Sequence, residues 1–145
     1  MAHDSVSELD GFLDQWRQDA NSVKPVFEAM RSSLAAMPGV HLEFKARPGI
    51  SYSIRARHEA QKERNLFVLV DIIDDDPDAR WMSVCFYADL VSDPDERGDV
   101  VPGGLFGEDA CCFDVEGDDE DLRLYMMERL REAGTAAGKE GSSNT

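Results

Sequence analysis

Long hydrophobic runs are absent from this 145-residue sequence. None approaches the roughly 20 apolar residues needed to cross a bilayer, so the sequence does not predict a membrane protein. Its first residues, MAHDSVSELDGF, also lack the basic and then apolar stretches of a secretory signal. We therefore expect a soluble protein in the cytoplasm.

Cysteine is scarce, and its spacing is unlike that of a disulfide framework. The three cysteines, Cys85, Cys111 and Cys112, form no CxxC pair, and one of them stays unpaired in any scheme. Together with the three histidines they do not fall at the paired spacing of zinc ligands. These observations predict reduced thiols and no zinc site.

Basic side chains are also in short supply. Lys and Arg number 15 against 30 Asp and Glu, which gives a formal net charge of −15. Because nucleic-acid affinity comes largely from Lys and Arg that displace counterions, this balance argues against a nucleic-acid partner. The exception is residues 39–64, with six basic and three acidic side chains, whereas the rest of the chain has nine basic and 27 acidic ones. One basic segment therefore lies in an acidic protein.

Motifs for catalysis and cofactor binding are missing. The sequence has no GxSxG elbow, no Walker loop and no GxGxxG. Asp74, Asp76 and Asp78 have the alternate spacing of a calcium loop, but no glycine follows for the turn and Cys85 replaces the bidentate Glu. That segment is better explained as a turn. We predict no catalytic, cofactor-binding or metal-binding residue, and whether the chain is an enzyme stays open.

Helical periodicity marks two segments before residue 40. Residues 5–8 have the form of a capping box and predict a helix over about residues 7–20. Asn21 or Ser22 can cap a second helix, which we expect to end at Pro38-Gly39.

A third helix is predicted after the acidic run 117–121, since carboxylates suit a helix N-terminus. Five residues share its apolar face: Leu122, Tyr125, Met126, Leu130 and Ala133. Residues 134–145 are predicted to be a disordered tail.

Between Val40 and His58 the hydrophobic period changes to two, which is typical of strands. A two-residue turn at Pro48-Gly49 would place apolar side chains opposite polar ones, whereas a three-residue loop over 48–50 places apolar opposite apolar. We predict the second register, which pairs Arg47 with Ser51, Phe44 with Ile54, Glu43 with Arg55 and His41 with Arg57.

The rest of the sheet is predicted from shorter runs. Residues 66–73 and 81–90 indicate two central strands, and 110–115 indicate a last, edge strand. Residues 92–108 are rich in Gly, Pro and Asp without a period, and we expect a functional loop or an interface there. The prediction is one α+β domain over 1–133, with two N-terminal helices, an antiparallel β-meander of four to five strands and a C-terminal helix (α-α-β-β-β-β-β-α).

The basic hairpin is the best candidate for a contact site. Four of its cations and two aromatic residues of a later strand form the candidate interaction surface: Lys45, Arg47, Arg55, Arg57, Trp81 and Tyr87. A positive patch on an acidic body attracts an anionic surface, including the acidic half of a second copy. We therefore predict a non-catalytic protein-interaction module that forms a homodimer, through the second face of the sheet or the 92–108 loop.

Two alternatives stay open. In the first, the hairpin cations are only the solvated side of a two-stranded ribbon and have no partner. In the second, Arg55 and Arg57 hold a small anionic ligand or substrate beneath the glycine-rich segment 92–108.

Overall fold

The computed structural model describes residues 2–140, and their side chains from residue 7 onward. Three α-helices and six strands follow one another along the chain: α1 (Ala2–Gln15), α2 (Lys24–Ala35), β1 (Val40–Arg47), β2 (Ser51–His58), β3 (Val68–Ile73), β4 (Trp81–Tyr87), β5 (Asp99–Leu105), β6 (Glu108–Val115) and α3 (Glu120–Gly138). A short 3-10 helix, Ala88–Leu90, follows β4. The predicted α+β class is confirmed, with one strand more than expected.

All six strands form one antiparallel sheet in the order β1-β2-β3-β4-β6-β5. The helices pack on one face of it: α1 and α2 contact β1, and α3 contacts β2 and α2. Between them and the sheet lies a continuous apolar core that includes Trp16, Phe27 and Phe113. Within residues 2–140, no helix is both long enough and apolar enough to cross a membrane.

The register predicted for the first hairpin is confirmed. Arg47 pairs with Ser51 and Phe44 with Ile54, across a loop of three residues. Gly49 takes the left-handed backbone conformation (φ +83°), and the Ile50 N–H donates to the Arg47 carbonyl at 2.8 Å. The pattern sufficed here because a shift by one residue would move every apolar side chain of a strand to the other face.

Both N-terminal helices begin at other residues than predicted. Residues 5–8 lie inside α1, so they do not form its start, and α1 ends at Gln15 instead of Ala20. For α2 the cap comes from Asp19, whose two carboxylate oxygens accept hydrogen bonds from the Val23 and Lys24 N–H groups at 3.0 and 2.9 Å. A carboxylate that precedes the helix in sequence can thus accept hydrogen bonds from the free amides of its first turn.

Asn21, one of the two predicted caps, has another role. Its side-chain amide donates to the carbonyl oxygens of Ala79 and Arg80 at 3.1 and 3.0 Å, and so joins the start of α2 to the start of β4. These partners are nearly 60 residues away, so local sequence could not indicate them.

The segment 92–108, predicted as a loop, contains the edge strand of the sheet. Residues 99–105 are β5 and pair with β6, so β6 is an inner strand and the prediction that 110–115 form an edge was wrong. The connectivity is likewise not a plain meander, because β5 lies outside β6. A register shift between Val101 and Leu105 surrounds Pro102. Proline and glycine are tolerated at a sheet edge, where fewer backbone groups need a partner.

The last helix extends beyond the predicted end. It continues through Gly134, which is buried, to Gly138, so five residues of the predicted tail 134–145 are helical. A Cβ at position 134 would lie 2.7 Å from Met37 Sδ. Glycine at this position thus allows close packing and does not end the helix. Residues 141–145 lie outside the described residues.

Candidate functional site

The sheet face away from the helices, here called the open face, carries all the predicted cations. Strand alternation and register arrange it in four rows of side chains: Arg47, Ser51, Ile73 and Trp81; then Lys45, Ser53, Asp71, Ser83 and Asp114; then Glu43, Arg55, Leu69, Cys85, Cys112 and Asp99; then His41 and Arg57, with Tyr87, Ala110 and Val101 on the farther strands. Neighbouring strands are about 4.8 Å apart, so six strands span about 24 Å. No helix in the described part of the chain covers this surface.

One side of the open face is positively charged. Lys45, Arg47 and Arg57 are exposed, and Arg55 is half-buried. Within residues 2–140 none of these four cations forms an ion pair. Glu43 lies directly opposite Arg55 in the register, as predicted, yet does not pair with it. The charge of strands β1 and β2 is therefore available to a partner.

The opposite side of the open face is acidic. Asp114 on β6 and Asp99 on β5 are exposed, and neither forms an ion pair with a described cation. Asp71, in the middle, accepts a hydrogen bond from the Ser53 hydroxyl, so its charge is partly satisfied. Across the sheet the charge thus changes from positive to negative.

The centre of the open face is largely apolar. Leu69, Ile73 and Trp81 are half-buried, with hydroxyl and sulfur groups between them. Large apolar side chains on a sheet face without a covering layer are typical of a contact surface. Trp81 thus lies on the same face as the hairpin cations, in the row of Arg47 but three strands away from it.

Tyr87 is not accessible on this surface. It is 3% exposed and packs with Leu66, Leu105 and Ala110 in a small second core. The guanidinium carbon of Arg64 lies 4.0 Å from the centre of its ring. Burial, and then the negative charge of Glu108, raises the pKa of the Tyr87 phenol.

Arg64 is fixed by two carboxylates. Its guanidinium donates to Asp89 at 2.9 and 3.0 Å and to Glu108 at 2.6 and 3.2 Å. Hydrogen bonds to Glu108 and then Asp89 raise the pKa of Arg64, and the same guanidinium lowers the pKa of Glu108. Arg64 therefore covers the Tyr87 ring of the small second core, and Asp89 and Glu108 neutralise its positive charge.

A cleft of about 570 Å³ lies at the end of the open face where Arg64 and Tyr87 are found. Its lining comes from β1, β2, the connection before β3, the end of β4 and the β5–β6 turn: Glu43, Arg55, Arg57, Glu63, Arg64, Asn65, Leu66, Tyr87, Phe106 and Glu108. The turn is made by Phe106 and Gly107, both in the left-handed backbone region (φ +51° and +84°). Phe106 thereby projects over the sheet with 65% of its surface exposed.

Arg55 connects the open face to the cleft. Its guanidinium carbon lies 5.6 Å from the centre of the Phe106 ring, a cation–π contact. Its Nε is buried and has no hydrogen-bond partner. The sequence predicts Arg55 and Arg57 beneath the glycine-rich segment 92–108, but it does not indicate Phe106 or Arg64. No local motif marks Phe106, because its position over Arg55 depends on the pairing of β5 with β6.

The cysteines differ from the prediction of reduced thiols. Cys85 and Cys112 lie opposite each other on β4 and β6 and form a disulfide on the open face. Cys111 is free and buried on the helix side, where burial raises its pKa. The sequence did not indicate this pair, because the two cysteines face each other only if β6 lies directly beside β4, and that neighbour relationship was not predicted. Disulfides are unusual in a reducing compartment, so the cytoplasmic location stays a prediction.

The acidic turn after β3 has a structural role. Asp74 accepts hydrogen bonds from the Gly49 amide and from Arg80, both at 2.7 Å. Among the side chains that the structure describes, residues 7–140, no group of three or more His, Cys, Asp or Glu is arranged to hold a metal ion.

Comparison with known proteins gives no match: no family model, no curated protein and no solved structure matches this chain.

Proposed function

We propose that this chain is a non-catalytic interaction module that forms a homodimer through its open face. One observation carries the proposal: unpaired cations lie on β1 and β2, apolar side chains on β3 and β4, and carboxylates on β6 and β5. A surface with this order of charge is complementary to a second copy of itself. Self-complementarity is what a twofold-symmetric interface requires.

The order of charge selects one orientation of the two copies. Facing sheets pack about 10 Å apart with their strand directions within about 30° of each other. A twofold axis parallel to the strands then brings β1 and β2 of one copy over β6 and β5 of the other. An axis perpendicular to the strands would place cations over cations, which costs free energy. We therefore propose the first arrangement.

The centre and the two sides of the open face contribute differently. Burial of Trp81, Ile73 and Leu69 removes apolar surface from water, and this supplies most of the affinity. Exposed pairs such as Lys45 with the partner's carboxylates contribute little affinity, but they fix orientation and speed association. Salt is then expected to slow dimer formation more than it weakens the dimer, because charges on a rim are screened.

Sedimentation equilibrium of two charge-reversal variants tests this proposal. Lys45→Glu with Arg47→Glu makes the basic side acidic, and Asp99→Lys with Asp114→Lys makes the acidic side basic. We expect each variant alone to dimerise more weakly than the original chain, because like charges then face each other. A mixture of the two is expected to form a heterodimer.

Arg17→Glu with Arg131→Glu is the matched control. Both residues are exposed, both belong to the helix side of the molecule, and the change in net charge is the same as in the variant with Lys45→Glu and Arg47→Glu. The control is expected to dimerise as the original chain does. A chain that stays monomeric at every concentration, or a dimer that neither reversal weakens, overturns the proposal.

A further inference from the structure

The cleft is lined by four charged side chains that have no ion-pair partner among the described residues. Arg55 and Arg57 come from β2, Glu43 from β1 and Glu63 from the connection before β3. None of the four forms an ion pair within the part of the chain that the structure describes. Two positive and two negative groups therefore surround one cavity without neutralising each other.

The absence of pairing is informative for Glu43 and Arg55. The register places them directly opposite each other on β1 and β2, where opposite charges ordinarily attract. Arg55 instead lies against the Phe106 ring, and its buried Nε has no acceptor. A donor of this kind gains a hydrogen bond when an oxyanion enters and Arg55 adjusts to it.

The cleft also has an apolar part. Leu66 forms part of its base, and Phe106 overhangs it from the β5–β6 turn. Phe106 has a left-handed backbone conformation, which residues other than glycine rarely adopt. The volume, about 570 Å³, is in the range of cavities that hold small molecules.

We infer that the cleft binds a zwitterion, namely a free amino acid with an aromatic or large apolar side chain, through Arg55 and Arg57 together with Glu43 and Glu63. The two arginines, about 6.6 Å apart along β2, bind the carboxylate. The two glutamates bind the ammonium group. The side chain of the ligand lies against Phe106 and Leu66.

The inference shares Arg55 and Arg57 with the proposed dimer surface, but it does not require that a dimer forms. The charges substituted to test the dimer, at positions 45, 47, 99 and 114, do not line the cleft. Binding can be measured whether or not the chain self-associates, so failure of one proposal leaves the other in place.

Isothermal titration calorimetry with three related compounds tests the inference. L-phenylalanine carries both charges, 3-phenylpropionate lacks the ammonium group, and phenethylamine lacks the carboxylate. We expect L-phenylalanine to bind and each of the other two to bind roughly tenfold or more weakly, because either loses charged hydrogen bonds. Equal binding of 3-phenylpropionate would overturn the assignment of a zwitterion, and no binding of L-phenylalanine would overturn the site.

Two variants locate the ligand. Arg55→Met keeps an unbranched apolar side chain beside Phe106 and removes the guanidinium, and Glu63→Gln removes one negative charge. Both are expected to weaken L-phenylalanine binding about tenfold or more. Lys45→Met, on the same face but outside the cleft, is the control and is expected to bind normally. Unchanged affinity in both cleft variants would place the ligand elsewhere and overturn the inference.

Discussion

Arg80 Nε lies 2.7 Å from Asp74 Oδ1, and both side chains are buried. The other oxygen of Asp74 accepts from the Gly49 amide at 2.7 Å. The Arg80 guanidinium also packs near the rings of Phe12, Trp16 and Tyr52. One carboxylate thus joins the β1–β2 loop, the β3–β4 turn and, through Arg80, the core around α1.

Removing that carboxylate is expected to destabilise the fold. Asp74→Ala leaves Arg80 buried without a counter-charge, and breaking a buried pair in this way costs about 3–5 kcal/mol. Urea unfolding followed by circular dichroism measures the loss. Asp75→Ala, an exposed neighbour in the same turn, is the control and should stay within about 0.5 kcal/mol of the original chain. Equal effects of the two substitutions would contradict the pairing.

The loop before β5 is held by Asp93. Its carboxylate accepts from the Tyr125 hydroxyl and from the N–H groups of Arg97 and Gly98, at 3.0 and 2.8 Å for the two amides. Burial alone would raise the pKa of Asp93, but these hydrogen bonds lower it below its usual range. A lowered pKa in the folded state stabilises the fold above the unfolded pKa of about 3.9, and this stabilisation is lost as the pH falls through the folded pKa.

Tyr125→Phe tests that arrangement. The substitution removes one donor to Asp93, so the pKa of Asp93 is expected to rise towards its ordinary value, and acid should loosen the loop at a higher pH. A carboxyl-carbon NMR titration measures the pKa directly. Tyr52→Phe, which is remote from Asp93, is the control. If Asp93 titrates at the same pH in both variants, Tyr125 does not hold the loop.

The Cys85–Cys112 disulfide is expected to stabilise the fold. It closes a loop with a sequence separation of 27, and the chain-entropy model assigns about 3.5 kcal/mol to a loop of this length. Reductant should therefore lower the urea midpoint, and it should have no effect on a Cys85→Ala, Cys112→Ala variant. Thiol titration in denaturant gives the direct check. One free thiol per chain is expected before reduction and three after it, whereas three before reduction would exclude the disulfide.

The sequence predicted best what local pattern determines. The register of β1 and β2 followed from alternation alone, and with it the placement of Arg55 and Arg57 on one face. The edge strand β5 escaped prediction because Gly, Pro and Asp at an exposed edge leave no alternation to detect. The cap of α2 by Asp19 also escaped, since Asn21 nearby had the more usual position.

The cleft could not be predicted for a different reason. It forms because the β5–β6 turn brings Phe106 over Arg55, and these two residues are 51 positions apart. Tyr87 was expected on the surface because strand alternation predicts which face of the sheet a residue lies on. Alternation does not show that Leu66 and Leu105 cover Tyr87 on that face.

Trp81 offers a test of the open face that needs no charge reversal. The chain has two tryptophans, and the other, Trp16, is 1% exposed in the core. Acrylamide quenches exposed tryptophan, so wild-type quenching reports mainly on Trp81. If the open faces of two copies meet, quenching should decrease as the protein concentration rises through the dimer dissociation constant. A Trp81→Phe variant, which retains Trp16, should show weak quenching at every concentration. Quenching of the original chain that does not change while sedimentation shows a dimer would place the interface away from Trp81.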